Sequence, residues 1–388
     1  MNLAPELRLL LCAIRNGRHG GEGTELAAAA AGPIDWAVLA RGAQRHGLSS
    51  ALLAQMEVLP GVPPAALHDL RRRATQSAAG TLARVRETVR ITNVLRAAGL
   101  RFLVIKGVPL SVQLYGDPAA RDARDIDIVV DGSQIDQAGE VLRSAGYQDV
   151  EGDLSAREVT DRKGRIKEIQ FFNPELGIVA ELHHRLTDNR ELLAWDFEML
   201  WRERETVSVL GSEIPTLSRP RLAPYLCLHG AIHCWQRLLW LGDLEVVVGA
   251  SDTVAIALDQ ARDLKFEPLM FHAATLAQDW LGIAGADADR PRRSIRHFYL
   301  NFIVGQFFRG ARWHEGSTTS VGKQFLRYSV WLRLYRYGLK SDWLYWRREL
   351  SNEFDSASDR KVFQLPERLR FLYPAIRPAG WLIRRIRR

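Results

Sequence analysis

Two aspartates lie one residue apart inside a run that otherwise has the composition of a buried strand. The run is DIDIVV, with Asp125 and Asp127 as its carboxylates and only isoleucine and valine at the other positions. On a strand, residues i and i+2 face the same side, so both carboxylates project together while Ile126 and Ile128 pack on the other face. Carboxylates this close raise each other's pKa unless a cation lies between them. The run therefore predicts a cation site, with a solvent-facing edge strand as the alternative.

A third carboxylate occurs in a second apolar run, GIVAELHH, where Glu181 lies between alanine and leucine. If this strand lies beside DIDIVV, Glu181 faces the same cluster as general base or metal ligand. Mg²⁺ prefers one or two protein carboxylates together with water and phosphate oxygens. We therefore expect Mg²⁺, or Mn²⁺ in its place, held by Asp125, Asp127 and Glu181. Two such ions about 3.5–4 Å apart would clamp the oxygens of an in-line displacement.

A phosphate-binding junction is predicted just before the aspartates. Lys106 and Gly107 follow the apolar run FLVI and precede the predicted helix VPLSVQLYG. The backbone N–H groups at the start of a helix favour anions, glycine lets a phosphate approach the backbone, and lysine supplies a compact positive charge. Together with the metal site, this junction indicates a polyphosphate ligand.

The pattern of elements predicts an α+β protein with a small mixed sheet between helical regions. Strand-like runs LRFLVIKG, RDIDIVVDG and the hairpin IKEIQFF–NPELG–GIVAELHH alternate with the amphipathic helices VPLSVQLYG and QIDQAGEVLRSAGY. Before and after them, apolar residues recur at helical spacing. We therefore expect an N-terminal helical region over residues 1–98, a core sheet over 99–215 and a C-terminal helical domain over 216–388.

The composition indicates a cytoplasmic protein. No apolar run of the 388 residues approaches the 18 or so that a membrane-spanning helix needs. The N-terminus is predicted to be an amphipathic helix because it has no basic stretch and no small-residue cleavage site. The three cysteines, Cys12, Cys227 and Cys234, form no CxxC pair, which is typical of a reducing compartment.

The net charge of +8 favours an anionic partner such as a nucleotide, a nucleic acid or a membrane surface. The C-terminal segment has seven arginines from Arg368 onward, and a solvated basic tail is the preferred interpretation over a membrane or nucleic-acid contact. The basic residues are scattered along the chain, so nucleic acid is possible but not favoured.

These motifs together resemble the nucleotidyltransferase superfamily of the polymerase-β type, and within it a bacterial branch called uncharacterised nucleotidyltransferase. The resemblance rests on a strand ending in Lys-Gly, an arginine four residues before Asp-x-Asp, and a strand ending in Glu-Leu-His. The matching positions here are Lys106, Gly107, Arg121, Asp125, Asp127, Glu181, Leu182 and His183. A later helix also matches, at His229, Gly230, His233, Trp235, Arg237, Leu238, Trp240 and Asp243.

The resemblance implies a small mixed sheet, an NTP with Mg²⁺, and transfer of a nucleoside monophosphate to a hydroxyl. It departs from the wider superfamily where Lys106-Gly107 replaces Gly-Ser and where Glu181 replaces the commoner aspartate. Arg124 is a third departure, since a small or polar residue is more usual before the first aspartate. Arg124 can bind phosphate or form an external ion pair.

Several other residues have two interpretations each. His229 and His233 are four apart on a helix, so with Arg237 they line the nucleotide or acceptor cleft or else form a structural pair. Arg121 contacts phosphate or acceptor, or pairs with a nearby aspartate such as Asp117 or Asp122. His183 shares a strand face with Glu181 and is a candidate phosphate contact.

The expected function is Mg²⁺-dependent transfer of a nucleoside monophosphate from an NTP, with ATP expected first, to an acceptor hydroxyl. The acceptor can be a small molecule, a peptide or a protein. Two alternatives share the same fold. One is a non-catalytic nucleotide- or partner-binding accessory protein, and the other is an enzyme that acts on RNA or DNA.

Overall fold

A five-stranded mixed sheet lies between two groups of helices. The computed structural model describes residues 4–19, 23–150, 167–248, 259, 262–265, 267–281, 295–310, 330–354, 365 and 376. The strands of the sheet are β1 Phe102–Val104, β2 Asp125–Val130, β3 Gln148–Asp149, β4 Glu168–Asn173 and β5 Ile178–His183. Their order is β1-β2-β5-β4-β3, in which β2 and β5 are parallel and the other pairs antiparallel. The predicted α+β class is confirmed, and so is the predicted hairpin, which is β4–β5.

Helices precede the sheet, as the apolar spacing predicts. They are α1 Pro5–His19, α2 Thr24–Ala30, α3 Trp36–His46, α4 Ser49–Glu57 and α5 Pro64–Ala97. Helix α3 begins where the Asp35 side chain accepts a 3.0 Å hydrogen bond from the Val38 amide, and it ends at Gly47. Gly47 has φ of 71°, and a Cβ there would lie 2.7 Å from the Arg237 guanidinium. Glycine at this position therefore lets the end of α3 lie against a residue of the later helical part.

Two helices connect the strands of the sheet, α6 Val108–Tyr115 and α7 Ile135–Ser144. Helix α6 follows Gly107 directly and has Pro109 in its first turn, where the missing amide hydrogen is tolerated. A second sheet of two antiparallel strands, β6 Glu205–Val209 and β7 Ser212–Thr216, was not predicted. Its strands are short, polar on alternate positions and interrupted by Pro215, so the sequence signal is weak. The Thr216 hydroxyl donates to the Val104 carbonyl oxygen at 2.6 Å and fixes this hairpin against β1.

The described later part of the chain is mainly helical. Its helices are α8 Phe197–Arg202, α9 Arg219–Ile232, α10 Leu238–Val248, α11 Glu267–Leu281, α12 Ile295–Gly310 and α13 Trp343–Phe354. Between α9 and α10 the chain reverses through Cys234 and Trp235, which both have positive φ although neither is glycine. A Cβ on Gly230 would lie 2.3 Å from the Trp235 ring, so only glycine admits this ring. The basic C-terminal segment lies outside the described residues.

None of the described helices combines the length and apolarity that crossing a bilayer requires. The thiols of Cys12, Cys227 and Cys234 are buried and unpaired.

One apolar cluster joins the first helices to the later ones. It includes Leu10 of α1, Leu39 of α3, Leu226 of α9 and Leu241 of α10, and all four are almost fully buried. A second cluster lies under the sheet and includes Ile126 and similar residues of β2 and β5. Because both helical groups pack together, they form opposite walls of the space above one face of β2. The three-part division at residues 98 and 215 stays a prediction.

Stability should fall in acid because His46 is buried in its neutral form. Its Nδ1 accepts a 3.1 Å hydrogen bond from the Leu238 amide. Burial, with Arg45 and Arg237 nearby, lowers the pKa of His46 to about 3, against about 6.5 for an exposed histidine. The unfolded chain therefore binds one more proton than the folded chain between these pH values, and folding loses up to about 1.4 kcal/mol per pH unit from this group.

We expect His46→Asn, which keeps an acceptor near the Nδ1 position, to flatten this loss. Urea unfolding at several pH values from 7.5 to about 4.5 measures the slope of the unfolding free energy against pH. Below pH 6.5, the slope of the unfolding free energy against pH should be smaller for the variant than for wild type, by the equivalent of about one bound proton. Identical slopes would show that His46 is not buried in its neutral form.

Candidate active site

The three carboxylates predicted from the sequence lie on two adjacent parallel strands. In the register of β2 and β5, Asp127 lies opposite Glu181, and Asp125 lies opposite Val179. Glu181 and Asp127 therefore project from neighbouring positions on one face of the sheet. The predicted adjacency of the strand DIDIVV and the strand that carries Glu181 is confirmed.

Asp127 is the most deeply buried of the three carboxylates, at 1% exposure. Its Oδ1 atom lies 2.7 Å from the Lys106 ammonium and 3.2 Å from His183 Nε2. Burial alone would raise the pKa of Asp127, but the Lys106 charge and the His183 hydrogen bond outweigh it and hold the pKa far below its usual range. Its Oδ2 atom is also buried and has no hydrogen-bond partner in the described part of the chain. Asp127 is therefore an ionised carboxylate with one oxygen unused.

Asp125 and Glu181 differ from Asp127 in their surroundings. Burial and the nearby Asp127 carboxylate raise the pKa of Asp125 to about 6. Burial also opposes ionisation of Glu181, but its hydrogen bond with His183 outweighs this and lowers the pKa of Glu181. Gln170 on β4 donates a 3.0 Å hydrogen bond to Glu181 Oε1. Glu181 is therefore oriented on one oxygen by the neighbouring strand.

His183 lies among the carboxylates and is almost fully buried. Its Nε2 is 3.2 Å from Asp127 and 3.5 Å from Glu181, and its Nδ1 is 3.3 Å from Glu168. Burial disfavours the charged ring, but the hydrogen bonds with Asp127 and Glu181 raise the pKa of His183. The ring therefore acts as a hydrogen-bond donor that holds two carboxylates in place. Its predicted contact with phosphate stays a prediction.

The donor set fits a divalent metal. One oxygen of Asp127, one of Glu181 and a nitrogen of His183 lie within 4.8 Å of one another, and Asp125 adds a carboxylate two residues earlier on β2. Oxygen donors with spare lone pairs suit a hard cation such as Mg²⁺ or Mn²⁺. The unused Oδ2 of Asp127 is the clearest sign, because a buried carboxylate oxygen without a partner is costly. Because His183 donates to the carboxylates, oxygens of Asp125, Asp127 and Glu181 are the atoms that would suit such an ion.

Gly107 shapes the start of α6 beside these carboxylates. It has φ of 61° and ψ of −120°, a conformation that residues with a side chain rarely adopt. A Cβ at this position would lie 3.5 Å from the Asp125 carbonyl oxygen. The start of the helix therefore lies directly against the strand of the aspartates, as the predicted phosphate junction requires.

Arg121 is an ion-pair residue of the core. Its Nε donates to Asp243 Oδ2 at 2.8 Å, and the Tyr115 hydroxyl donates to the other oxygen at 2.9 Å. Of its two interpretations, the geometry supports the ion pair, but with Asp243 in place of Asp117 or Asp122. Asp122 pairs instead with Arg237 at 3.0 Å. Both pairs connect the loop before β2 to the α9–α10 region.

His229, His233 and Trp240 form an aromatic group near the carboxylates. The centroid of the Trp240 ring is 4.8 Å from that of His229 and 5.5 Å from that of His233. Burial and the nearby Lys106 charge lower the pKa of both histidines, to about 3 for His233. Both imidazoles are therefore neutral at physiological pH. Their predicted proximity is confirmed, since their ring centroids are 4.8 Å apart. The predicted single helix from His229 to Asp243 is wrong, because α9 ends at Ile232 and the positive-φ residues Cys234 and Trp235 separate it from α10.

Many of these groups line one cleft of about 1180 Å³, but Asp127, His183 and Asp243 are not among its lining residues. Its lining includes the predicted residues Lys106, Gly107, Arg121, Asp125, Glu181, His229, His233 and Arg237. The sequence interpretation missed a set of basic residues on the opposite wall, namely Arg41, Arg45, Arg73 and Arg84. They belong to α3 and α5, which were predicted as helices without a role in the site. Arg124, noted from the sequence as an unusual neighbour of the aspartates, lies on the same wall.

Comparison with known families agrees with the geometry. The family model described as uncharacterised nucleotidyltransferase matches residues 32–282. The chain belongs to this nucleotidyltransferase family. The matched range begins before α3 and ends after α11, so it contains every residue of the cleft named above. Comparisons with curated proteins and with solved structures gave no match.

Breaking the buried pair of Arg121 and Asp243 should strongly destabilise the protein. Asp243→Asn keeps the shape but leaves the Arg121 charge buried without its counter-ion. Because breaking such a pair leaves a desolvated charge, we expect the unfolding free energy to fall by about 3–5 kcal/mol.

The matched control is Asp259→Asn, which removes an exposed partner of Arg262. An exposed pair of this kind contributes about 0–1 kcal/mol. Urea unfolding of both variants measures the difference. Equal, small losses would show that Arg121 does not depend on Asp243.

Proposed function

We propose that the protein is a Mg²⁺-dependent nucleotidyltransferase. It moves a nucleoside monophosphate from an NTP to an acceptor hydroxyl, and ATP is the expected nucleotide. The observation that carries the proposal is the set of Asp125, Asp127 and Glu181 on two register-paired strands, with Asp125 and Glu181 lining a single cleft. The buried Oδ2 of Asp127, which has no hydrogen-bond partner among the described residues, also supports a cation site. Membership of the nucleotidyltransferase family supports the reaction class.

Asp125, Asp127 and Glu181 would hold the metal in this proposal. When bound, Mg²⁺ supplies a Lewis acid that binds phosphate oxygens and offsets the charge that develops on them. Lys106 and His183 keep Asp127 ionised and fix its orientation through their bonds to Oδ1. The carboxylate is therefore ready before any ligand arrives, and little reorganisation is needed.

Glu181 is the proposed base for the acceptor. Its lowered pKa keeps it ionised at neutral pH, and Gln170 orients one of its oxygens. The acceptor hydroxyl gives its proton to Glu181 while its oxygen forms a bond to the α-phosphorus. The bond from the α-phosphorus to the bridging oxygen of the β-phosphate breaks, and pyrophosphate leaves. Positioning and electrostatic stabilisation carry most of the rate in such a displacement.

The aromatic side of the cleft is the proposed place for the nucleobase or for a planar part of the acceptor. His229, His233 and Trp240 offer ring faces, and both histidines are neutral. Offset stacking on such rings contributes about 0.5–1.5 kcal/mol beyond the buried area. Arg237, held by Asp122, borders the same space.

Metal-dependent nucleotide binding tests the proposal. We expect one of ATP, GTP, CTP and UTP to bind with Mg²⁺ at micromolar affinity in isothermal titration calorimetry. Asp125→Asn/Asp127→Asn should weaken that binding by about a hundredfold or more, because two of the three metal-holding carboxylates are lost. The control is Asp131→Asn, which removes a carboxylate at the far end of β2 that holds Ser133.

Binding without metal dependence, or equal binding by the double variant, would contradict the proposed metal site. The aspartates would then be structural, and the accessory binding protein would be the better interpretation. Absence of binding by wild type to all four nucleotides would contradict the proposal as a whole.

A further inference from the structure

Three arginines from separate elements converge on one wall of the cleft. Arg45 ends α3, Arg84 lies in the middle of α5, and Arg124 directly precedes β2. Arg84 Nε donates to the Arg124 carbonyl oxygen at 2.9 Å, and the Arg124 guanidinium donates to the Arg45 carbonyl oxygen at 2.9 Å. We call these three residues the arginine wall. These contacts hold the backbone carbonyl groups of Arg124 and Arg45.

No carboxylate of the described residues forms an ion pair with any member of the arginine wall. The other cations of the cleft contrast with this. The pairs are Lys106 with Asp127, Arg121 with Asp243, Arg237 with Asp122, Arg73 with Asp69, and Lys167 with Glu168. The fold thus pairs these five cations with carboxylates but leaves the three guanidinium groups of the arginine wall without an ion pair among the described residues.

Neighbouring groups respond to this positive charge. Burial and then the Arg124 charge lower the pKa of Arg237 to about 10. Burial and then the charges of Arg45, Arg237 and Arg124 lower the pKa of His46. Like charges at this density repel one another, so the folded chain favours an anion in the cleft.

The proposed base Glu181 and the junction at Gly107 lie on opposite sides of β2. Glu181, the proposed base, is on β5, and β5 lies on one side of β2 in the sheet order. The junction at Gly107 belongs to β1, which lies on the other side, and Arg124 is adjacent to Asp125. In an in-line displacement the attacking and leaving oxygens lie on opposite sides of the phosphorus.

We propose that the arginine wall binds the β- and γ-phosphates of the NTP and the pyrophosphate that they become. Planar guanidinium groups bind phosphate oxygens in pairs, and three of them match a dense anion better than one lysine does. Because Lys106 is ion-paired with Asp127, the arginine wall binds the terminal phosphates in place of Lys106. The N-terminal helices α3 and α5 are therefore part of the active site. This inference rests on the proposed function.

Pyrophosphate is the probe for the test because it needs no choice of base. Isothermal titration of Mg²⁺-pyrophosphate should show an affinity that Arg84→Gln/Arg124→Gln weakens about ten- to hundredfold, as expected for two lost charge-assisted contacts. The affinity of AMP with Mg²⁺ should change less than about threefold, since AMP lacks these phosphates. Arg86→Gln, an exposed residue two positions further on α5, is the matched control and should leave both affinities unchanged.

Three results would overturn the inference. The first is an unchanged pyrophosphate affinity in the double variant, as expected if the arginine wall holds a phosphate of the acceptor instead. The second is an equal loss of affinity for AMP, and the third is no pyrophosphate binding by wild type. Arg45→Gln repeats the test if the double variant fails to fold, because the exposed Arg45 side chain makes no hydrogen bond among the described residues. If the double variant weakens pyrophosphate binding but wild type binds no NTP, the anion site is supported and the nucleotidyltransferase proposal fails.

Discussion

The buried carboxylate of Asp127 is the interaction on which the rest of the site depends. An ionised carboxylate removed from water costs several kcal/mol unless charges and hydrogen bonds compensate for it. Here Lys106 comes from the β1–α6 junction and His183 from the end of β5, and both contact the same oxygen. The sheet order and the position of α6 are thus linked to the ionisation of one group. The other oxygen of Asp127 is buried and has no hydrogen-bond partner among the described residues, which is the reason for the proposed metal site.

The cleft above Asp127 exists because both helical groups reach the loop before β2. The ion pair of Arg121 with Asp243 joins this loop to α10, and that of Arg237 with Asp122 joins it to the turn before α10. From the other side, Arg124 donates to carbonyl oxygens at the end of α3. Residues 121–124, directly before the strand, therefore connect the aspartates to both helical groups. A displacement of either helical group would move the residues next to the three carboxylates.

Much of the sheet and of the carboxylate set could be predicted because the relevant signals are local. The alternation in DIDIVV places Asp125 and Asp127 on one face, and the turn NPELG predicts the hairpin that carries Glu181. The pairing of β2 with β5 is not local: the shared chemistry of the three carboxylates indicated only that the two strands lie side by side, and their parallel direction could not be predicted. The partner of Arg121 could not be predicted, since Asp243 lies 122 residues away and several aspartates are nearer in the chain. The arginine wall could not be predicted for the same reason. Arg84 and Arg124 are 40 residues apart, and each alone resembles an exposed helix or loop residue.

The location of a bound metal tests the central claim most directly. Crystals grown with Mn²⁺ and a non-hydrolysable NTP analogue would be measured by anomalous diffraction at the manganese edge. The account predicts an anomalous peak within coordination distance of Asp125, Asp127 and Glu181, with the triphosphate on the side of Gly107. A peak elsewhere, or an ordered nucleotide with no metal at these three carboxylates, would contradict it.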